Sequence, residues 1–292
     1  ISEKKDKFDV ILCLGSINFG SRHKIETEVA HCASLLEQDG IMFFRVNPGQ
    51  PHDKPESKWI DFFAWNVPFI LELANKNNAG LIATGTHPFA LYEDQVITNV
   101  NPRYEEFANK YGWAVRRLLT FGMHVHVGMD SKEKAVAVHD EIRKYLPLVL
   151  ALSACSPFWR GKDTELYCSR LSVFQGLPNT GLPEPYYEWR EYEQSLQTLV
   201  EADIIKAGVG YRQIWKDVRI HPAYGTIEVR IADSMPSLID TVAVATFVQS
   251  LAIYIGNKWE EGKLPPPTPN WLIERNRWAA IKEGLNAKFI ID

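Results

Sequence analysis

The chain lacks several features that would class it at once. No apolar run reaches the ~18 residues that span a bilayer; the longest, residues 146–155, is about half that. Charge of one sign is missing too: 32 basic against 36 acidic residues leave a net charge of −4. With a pI near 6.1, nothing favours nucleic acid or an anionic membrane as a partner. Cysteine is scarce, and the four present (Cys13, Cys32, Cys155, Cys168) form no CxxC pair. That scatter fits a reducing, cytoplasmic setting better than a disulfide framework. No basic segment followed by an apolar stretch is visible at the start, and the first residue is not Met.

What remains is an ordinary globular composition of 292 residues, 46% apolar and 23% charged. That length can bury a large core in one big domain or two modest ones. The first segment reads as a βαβ unit. FDVILCLGSI (8–17) is a continuous apolar run, residues 23–40 carry helical spacing up to Gly40, and IMFFRVNPG (41–49) is a second buried strand. A helix interrupted by Pro68 is expected over 61–78, and from Gly80 the style changes. GLIATGTHPF predicts a strand running into a turn, and 103–119 a long helix.

Beyond residue 130, Asp130 or Ser131 can cap a helix whose stripe is Ala135, Val138, Ile142, Tyr145 and Val149, with Pro147 placed to kink it. Residues 168–185 read as a long Gly- and Pro-rich loop. Helices are expected over 186–207, 238–258 and from Trp271, with two strands around a turn at 222–225 and LPPPTP (264–269) as a rigid spacer.

Two stretches pose a chemical question. FGMHVHVGM (121–129) alternates so that Met123, Val125 and Val127 share one face and His124 and His126 the other. GTIEVRIAD (225–233) likewise sets Ile227, Val229 and Ile231 against Glu228 and Arg230. Residues two apart on a strand face lie roughly 6–7 Å from each other. One histidine could then bind a metal while the other reaches a phosphate on it; two satisfied structural histidines would look the same. A carboxylate suits Mg²⁺ and an arginine suits a phosphate, although a solvated salt bridge explains Glu228 and Arg230 equally well. Arg219, between Asp217 and His221, and Arg170 add to the arginines at polar positions, a hint of phosphate chemistry.

From about residue 80 to 283 the chain resembles the carboxylate–amine ligase family, the type 2 glutamate–cysteine ligases of the glutamine synthetase superfamily. The resemblance rests on TGTHPF (84–89), FGMHVHVG (121–128), LSACSPFWRGKDT (152–164), SRLSVFQGLPNTG (169–181), DVRIHPAYGTIEVRIAD (217–233) and NRWAAIKEGL (276–285), in that order. It implies an α+β fold with a glutamine-synthetase-like curved antiparallel sheet and flanking helices. It makes His124 and Glu228 metal ligands and His126 a nucleotide-phosphate contact. Among the catalytic arginines it makes Arg230 a phosphate or transition-state contact and Arg170 and Arg219 contacts to phosphate or substrate carboxylate, and Thr86 and His87 line the pocket. ATP and Mg²⁺ are the implied cofactors. The implied reaction is formation of an acyl phosphate that an amine displaces, with glutamate and cysteine as small-molecule substrates. Neither nucleic acid nor membrane is an expected partner, and homo-oligomerisation stays open. No side-chain nucleophile is needed, so Cys155 and Cys168 are read as packing residues.

The family opens with a strand bearing an EIE- or ELE-type motif and continues past the position of Asp292; this chain shows neither. Residues 1–66 instead resemble a fragment of a class I S-adenosylmethionine-dependent methyltransferase, without its Gly-rich loop. The expected organisation is therefore a βαβ (Rossmann-like) fragment over 1–66 joined to a ligase domain over 67–292, with a seam around 64–80. A methyltransferase fragment and a catalytically inactive remnant or fusion of the ligase fold are the alternatives.

Overall fold

A computed structural model describes residues 8–14, 36–45, 72, 74–76, 80, 82–95, 102–208 and 210–291. The chain divides into two compact units, Ile1–Ile82 and Ala83–Asp292. In the first, β1 (Phe8–Leu14) pairs in parallel with β2 (Leu36–Arg45), Val10 opposite Ile41 and Leu14 opposite Arg45. The two apolar runs thus form the expected parallel pair. The second strand starts earlier than predicted: Leu36 pairs with Phe8 across an irregularity in the register before pairing resumes at Ile41, so residues 36–40 belong to the strand instead of ending a helix. The predicted helix between them lies outside the described residues. So does most of the helix expected over 61–78, of which residues 72 and 74–76 are helical.

The second unit mixes helices with small sheets. Its first helix, α1 (Pro102–Tyr111), is followed by the short α2 (Trp113–Arg116). The single helix predicted over 103–119 breaks at Gly112, whose φ of 55° leaves the right-handed region. Strand β3 (Val125–Gly128) follows. Ser131 then caps α3 (Lys132–Ile142), its side chain accepting from the Lys134 N–H at 3.1 Å. A 3₁₀ turn over Arg143–Tyr145 separates α3 from α4 (Leu146–Ser153), where Pro147 sits in the first turn, the one place in a helix that loses nothing by its missing N–H.

The loop predicted over 168–185 contains a helix, α5 (Ser169–Phe174), because Leu171 and Val173 turn inward and are buried in the core. Then come α6 (Trp189–Glu201), β4 (Val218–His221), β5 (Thr226–Val229), α7 (Leu238–Glu260) and α8 (Asn270–Glu283). The strand predicted in GLIATGTHPF reduces to one isolated bridge, Thr86 with Thr120; Pro88 has no N–H to extend it.

Strands β3, β5 and β4 form one antiparallel sheet with β5 in the centre. Its apolar face carries Val218, Ile220, Ile227 and Val229, all buried, and α3 and α7 pack against the sheet and each other. Helix α7 is long and apolar enough to cross a membrane, with mean hydropathy 1.7 over its best 18-residue window. A count of uninterrupted apolar residues passes it over because Asp240, Thr241, Thr246, Gln249 and Ser250 break the run. Val244, Val248, Leu251 and Ile255 form its buried side.

Candidate active site

The antiparallel register turns the alternation of the sequence into a row of polar side chains. His126 lies opposite Glu228 on one side and Arg219 lies opposite Glu228 on the other. All three therefore project from the face turned away from the core, with the carboxylate in the middle. One pairing step along, His124 and Arg230 meet, with Arg230 Nη1 3.2 Å from His124 Nδ1.

Glu228 is the hub. Its Oε2 accepts from Arg219 Nε at 2.5 Å and its Oε1 accepts from Arg230 Nη1. His124 Nδ1 lies 3.2 Å and His126 Nε2 3.7 Å from Oε1. The side chain is only 2% exposed. Burial opposes its ionisation, but the His124 hydrogen bond and the charges of Arg230 and Arg219 outweigh that and hold the carboxyl below the usual carboxylate range. Two guanidinium cations against one carboxylate leave the cluster with a net positive charge. Arg219 is further fixed by donating to the carbonyls of Tyr211 and Ile214, at 3.0 and 2.8 Å.

His126 and His221 are tuned toward neutrality. Burial lowers the pKa of His126, with Glu228 opposing and both arginines assisting. Its Nδ1 is 2.9 Å from Thr226 Oγ1. His221, pushed down to about 4 chiefly by burial, stacks on Tyr224 with ring centroids 4.1 Å apart and planes at 9°. Tyr211 meets the His221 ring edge-on at 4.9 Å, and His126 approaches it at 5.6 Å. An aromatic cluster thus flanks the charged row.

Three predicted site residues lie apart from that row. Arg170 is 5% exposed, and its Nε donates to Asp233 Oδ1 at 2.5 Å, so its guanidinium is committed to a buried carboxylate. Thr86 is 1% exposed and donates to the Phe158 carbonyl at 2.8 Å. His87 is fully buried, its Nδ1 accepting the Ala90 N–H at 2.9 Å, and burial lowers its pKa to about 4. Thr86 ties the 84–90 segment to Phe158, and His87 closes the local turn at Ala90.

Sequence reasoning passed over Asp233, Tyr211 and Tyr224. For Asp233 a signal existed: it has the parity of Ile227, Val229 and Ile231, and a carboxylate on that side requires a buried partner. Cys155 and Cys168 are pushed up to about 12 by burial and the charge of Asp233, which makes them thiols that pack.

The model of Glutamate-cysteine ligase family 2 matches residues 67–292. The chain belongs to that family. A protein of Frankia alni named "Putative glutamate--cysteine ligase 2-1" is 41% identical over 229 residues, 78% of this chain and 59% of its own length. The Gloeobacter violaceus protein named "Putative glutamate--cysteine ligase 2" is 38% identical over 77% of this chain and 59% of its own. The protein of the same name from Bdellovibrio bacteriovorus is 35% identical over 76% and 58%. The chain thus spans under two thirds of these relatives. All the described strands and helices from α1 to α8 fall within the family match, and so does the Glu228 row. The methyltransferase resemblance of residues 1–66 is not borne out: the family match starts at residue 67, and the described part of that segment is the β1–β2 pair.

Proposed function

We propose that this chain carries the site of an ATP- and Mg²⁺-dependent carboxylate–amine ligase that forms an amide of the γ-glutamylcysteine type through an acyl phosphate. The supporting observation is the row His126–Glu228–Arg219 in antiparallel register, joined by Arg230 and His124 around one ionised carboxylate. In this reading the β3–β5–β4 sheet is part of a glutamine-synthetase-like curved antiparallel sheet, and the protein acts in the cytoplasm on glutamate and cysteine.

Phosphoryl transfer asks little covalent chemistry of a protein and much positioning and charge. The net positive row suits a polyphosphate. Arg219, held by Glu228 and two main-chain carbonyls, and Arg230, held by Glu228, are preorganised to meet charge on the transferred group. His126, kept neutral, offers a hydrogen bond beside them. The fit to Mg²⁺ is partial. That ion takes oxygen ligands and is held by one or two carboxylates with substrate phosphates and water. Glu228 is the one carboxylate of the row, its oxygens are engaged by arginines, and the described residues include no group of three His, Cys, Asp or Glu side chains arranged to hold an ion. When bound with the nucleotide, the ion would add charge neutralisation at the phosphates.

The test is replacement of His124 and Glu228 together by Ala in the full chain. Release of ADP and phosphate that depends on glutamate and cysteine should disappear. Undiminished release would remove the assignment.

A further inference from the structure

We propose that Asp233 and Arg170 are positioning residues that hold the strand bearing Glu228 and Arg230 in register with the strand bearing His124. The inference rests on the ligase reading for its meaning in catalysis, and on a separate set of contacts for its evidence.

Asp233 is fully buried, and its carboxylate gathers donors from two segments, 155–156 and 168–170. Arg170 Nε donates to Oδ1 at 2.5 Å, with the Cys168 thiol at 3.3 Å from the same oxygen. Ser156 Oγ and the Cys155 N–H donate to Oδ2 at 2.6 and 3.0 Å. A second N–H of Arg170 donates to the carbonyl of Ile231, the neighbour of Arg230.

Two further segments approach so closely that a side chain has no room. A Cβ on Gly85 would lie 2.4 Å from Asp233 Cγ, and one on Gly122 would lie 2.8 Å from Arg170 Nη1. Gly122 bridges Asp233 and stands two residues before His124. Met123 N–H donates to the Ala232 carbonyl at 3.0 Å, and Ser234 N–H to the Phe121 carbonyl at 3.2 Å. The pair therefore sits where the two site strands run on past their ladder. Its location accounts for a buried ion pair better than stability does, since an apolar pair of equal volume commonly stabilises a core as well or better. The planar fork of Arg170 links the carboxylate and the Ile231 carbonyl at once; a lysine would reach one of them.

The test uses the full chain with ¹⁵N-labelled histidine, and compares it with Arg170→Lys. The imidazole resonances of His124 and His126 should move, while that of His139, buried elsewhere with Asp140, stays in place. Where turnover is measurable, kcat should fall about tenfold or more, as expected for a small misplacement of reacting groups, with nucleotide KM changed less than about twofold. Unmoved His124 and His126 resonances, or an unchanged kcat, would overturn the proposal. If Arg170→Lys does not fold, Ser156→Ala and Cys168→Ala remove one donor each and keep the ion pair. They should move the same resonances by less, and failure to do so is equally decisive. The resonance measurement needs no catalysis, so shifted imidazoles in a chain without ligase turnover would discard the ligase reading and leave the positioning role standing.

Discussion

Glu228 is surrounded by two arginines and two histidines, and the consequences are measurable one side chain at a time. Glu228→Gln leaves Arg219 and Arg230 facing each other without their shared counter-charge. Breaking a buried pair from one side costs on the order of 3 kcal/mol, so the urea midpoint should fall with the slope unchanged. Stability should also respond to acid through buried histidines. His87 and His221 have folded-state values of about 4, below the 6.5 of the free side chain. Their contribution is therefore complete above pH 6.5 and is lost as pH falls toward 4. Glu228, lowered from 4.5, contributes in full above that value and loses its part only below it. Denaturant titrations between pH 7 and 4 should show a decline, and His221→Gln should flatten it. A pH-independent midpoint over that range would contradict the burial of these rings. At this scale the row was legible because strand parity is rigid: His124, His126, Glu228 and Arg230 stand where alternation puts them. The pairing of Arg170 with Asp233 was not legible, because a sequence shows that an arginine is present and gives no sign of what neutralises it.

Among the elements, the sheet follows from its apolar face and the helices from their ends. Ile227 is fully buried at the centre of the three-stranded sheet. Ile227→Ala should cost 2–5 kcal/mol by transfer and cavity together, a loss that equilibrium unfolding would show directly. Ser131→Ala removes the α3 cap and should cost about 1 kcal/mol; an unchanged melting temperature would mean that the cap bond does not form. The two-strand reading of 217–233 and the apolar stripe of α3 were visible because each keeps a strict period. Three departures have local causes. Gly112 adopts a positive φ that periodicity ignores. The SRLSVF segment folds as α5 because Leu171 and Val173 find the core, a tertiary gain invisible in a Gly- and Pro-rich stretch. The 80–89 strand shrinks to a bridge at a Pro-containing turn.

Over the whole molecule the chain is two compact units; the second carries the described site and most of the family match, which begins at residue 67 in the first. Such an arrangement departs from a single all-or-none transition. Seven of the nine tryptophans lie after residue 82, so fluorescence reports mainly the second unit while circular dichroism reports both. Their urea transitions should not superimpose. Coincident curves would mean that the units unfold as one.

The central claim is that the Glu228 row receives a polyphosphate. The most direct measurement is the thermal midpoint of the full chain with and without Mg-ATP, beside Arg219→Ala and Arg230→Ala. A ligand at about 100 times its Kd adds roughly 2.7 kcal/mol, worth a few degrees in a domain of this size. The expected result is an upward shift in the unaltered chain that is lost in both variants. An unmoved midpoint at millimolar Mg-ATP, or an equal shift in the variants, would contradict it.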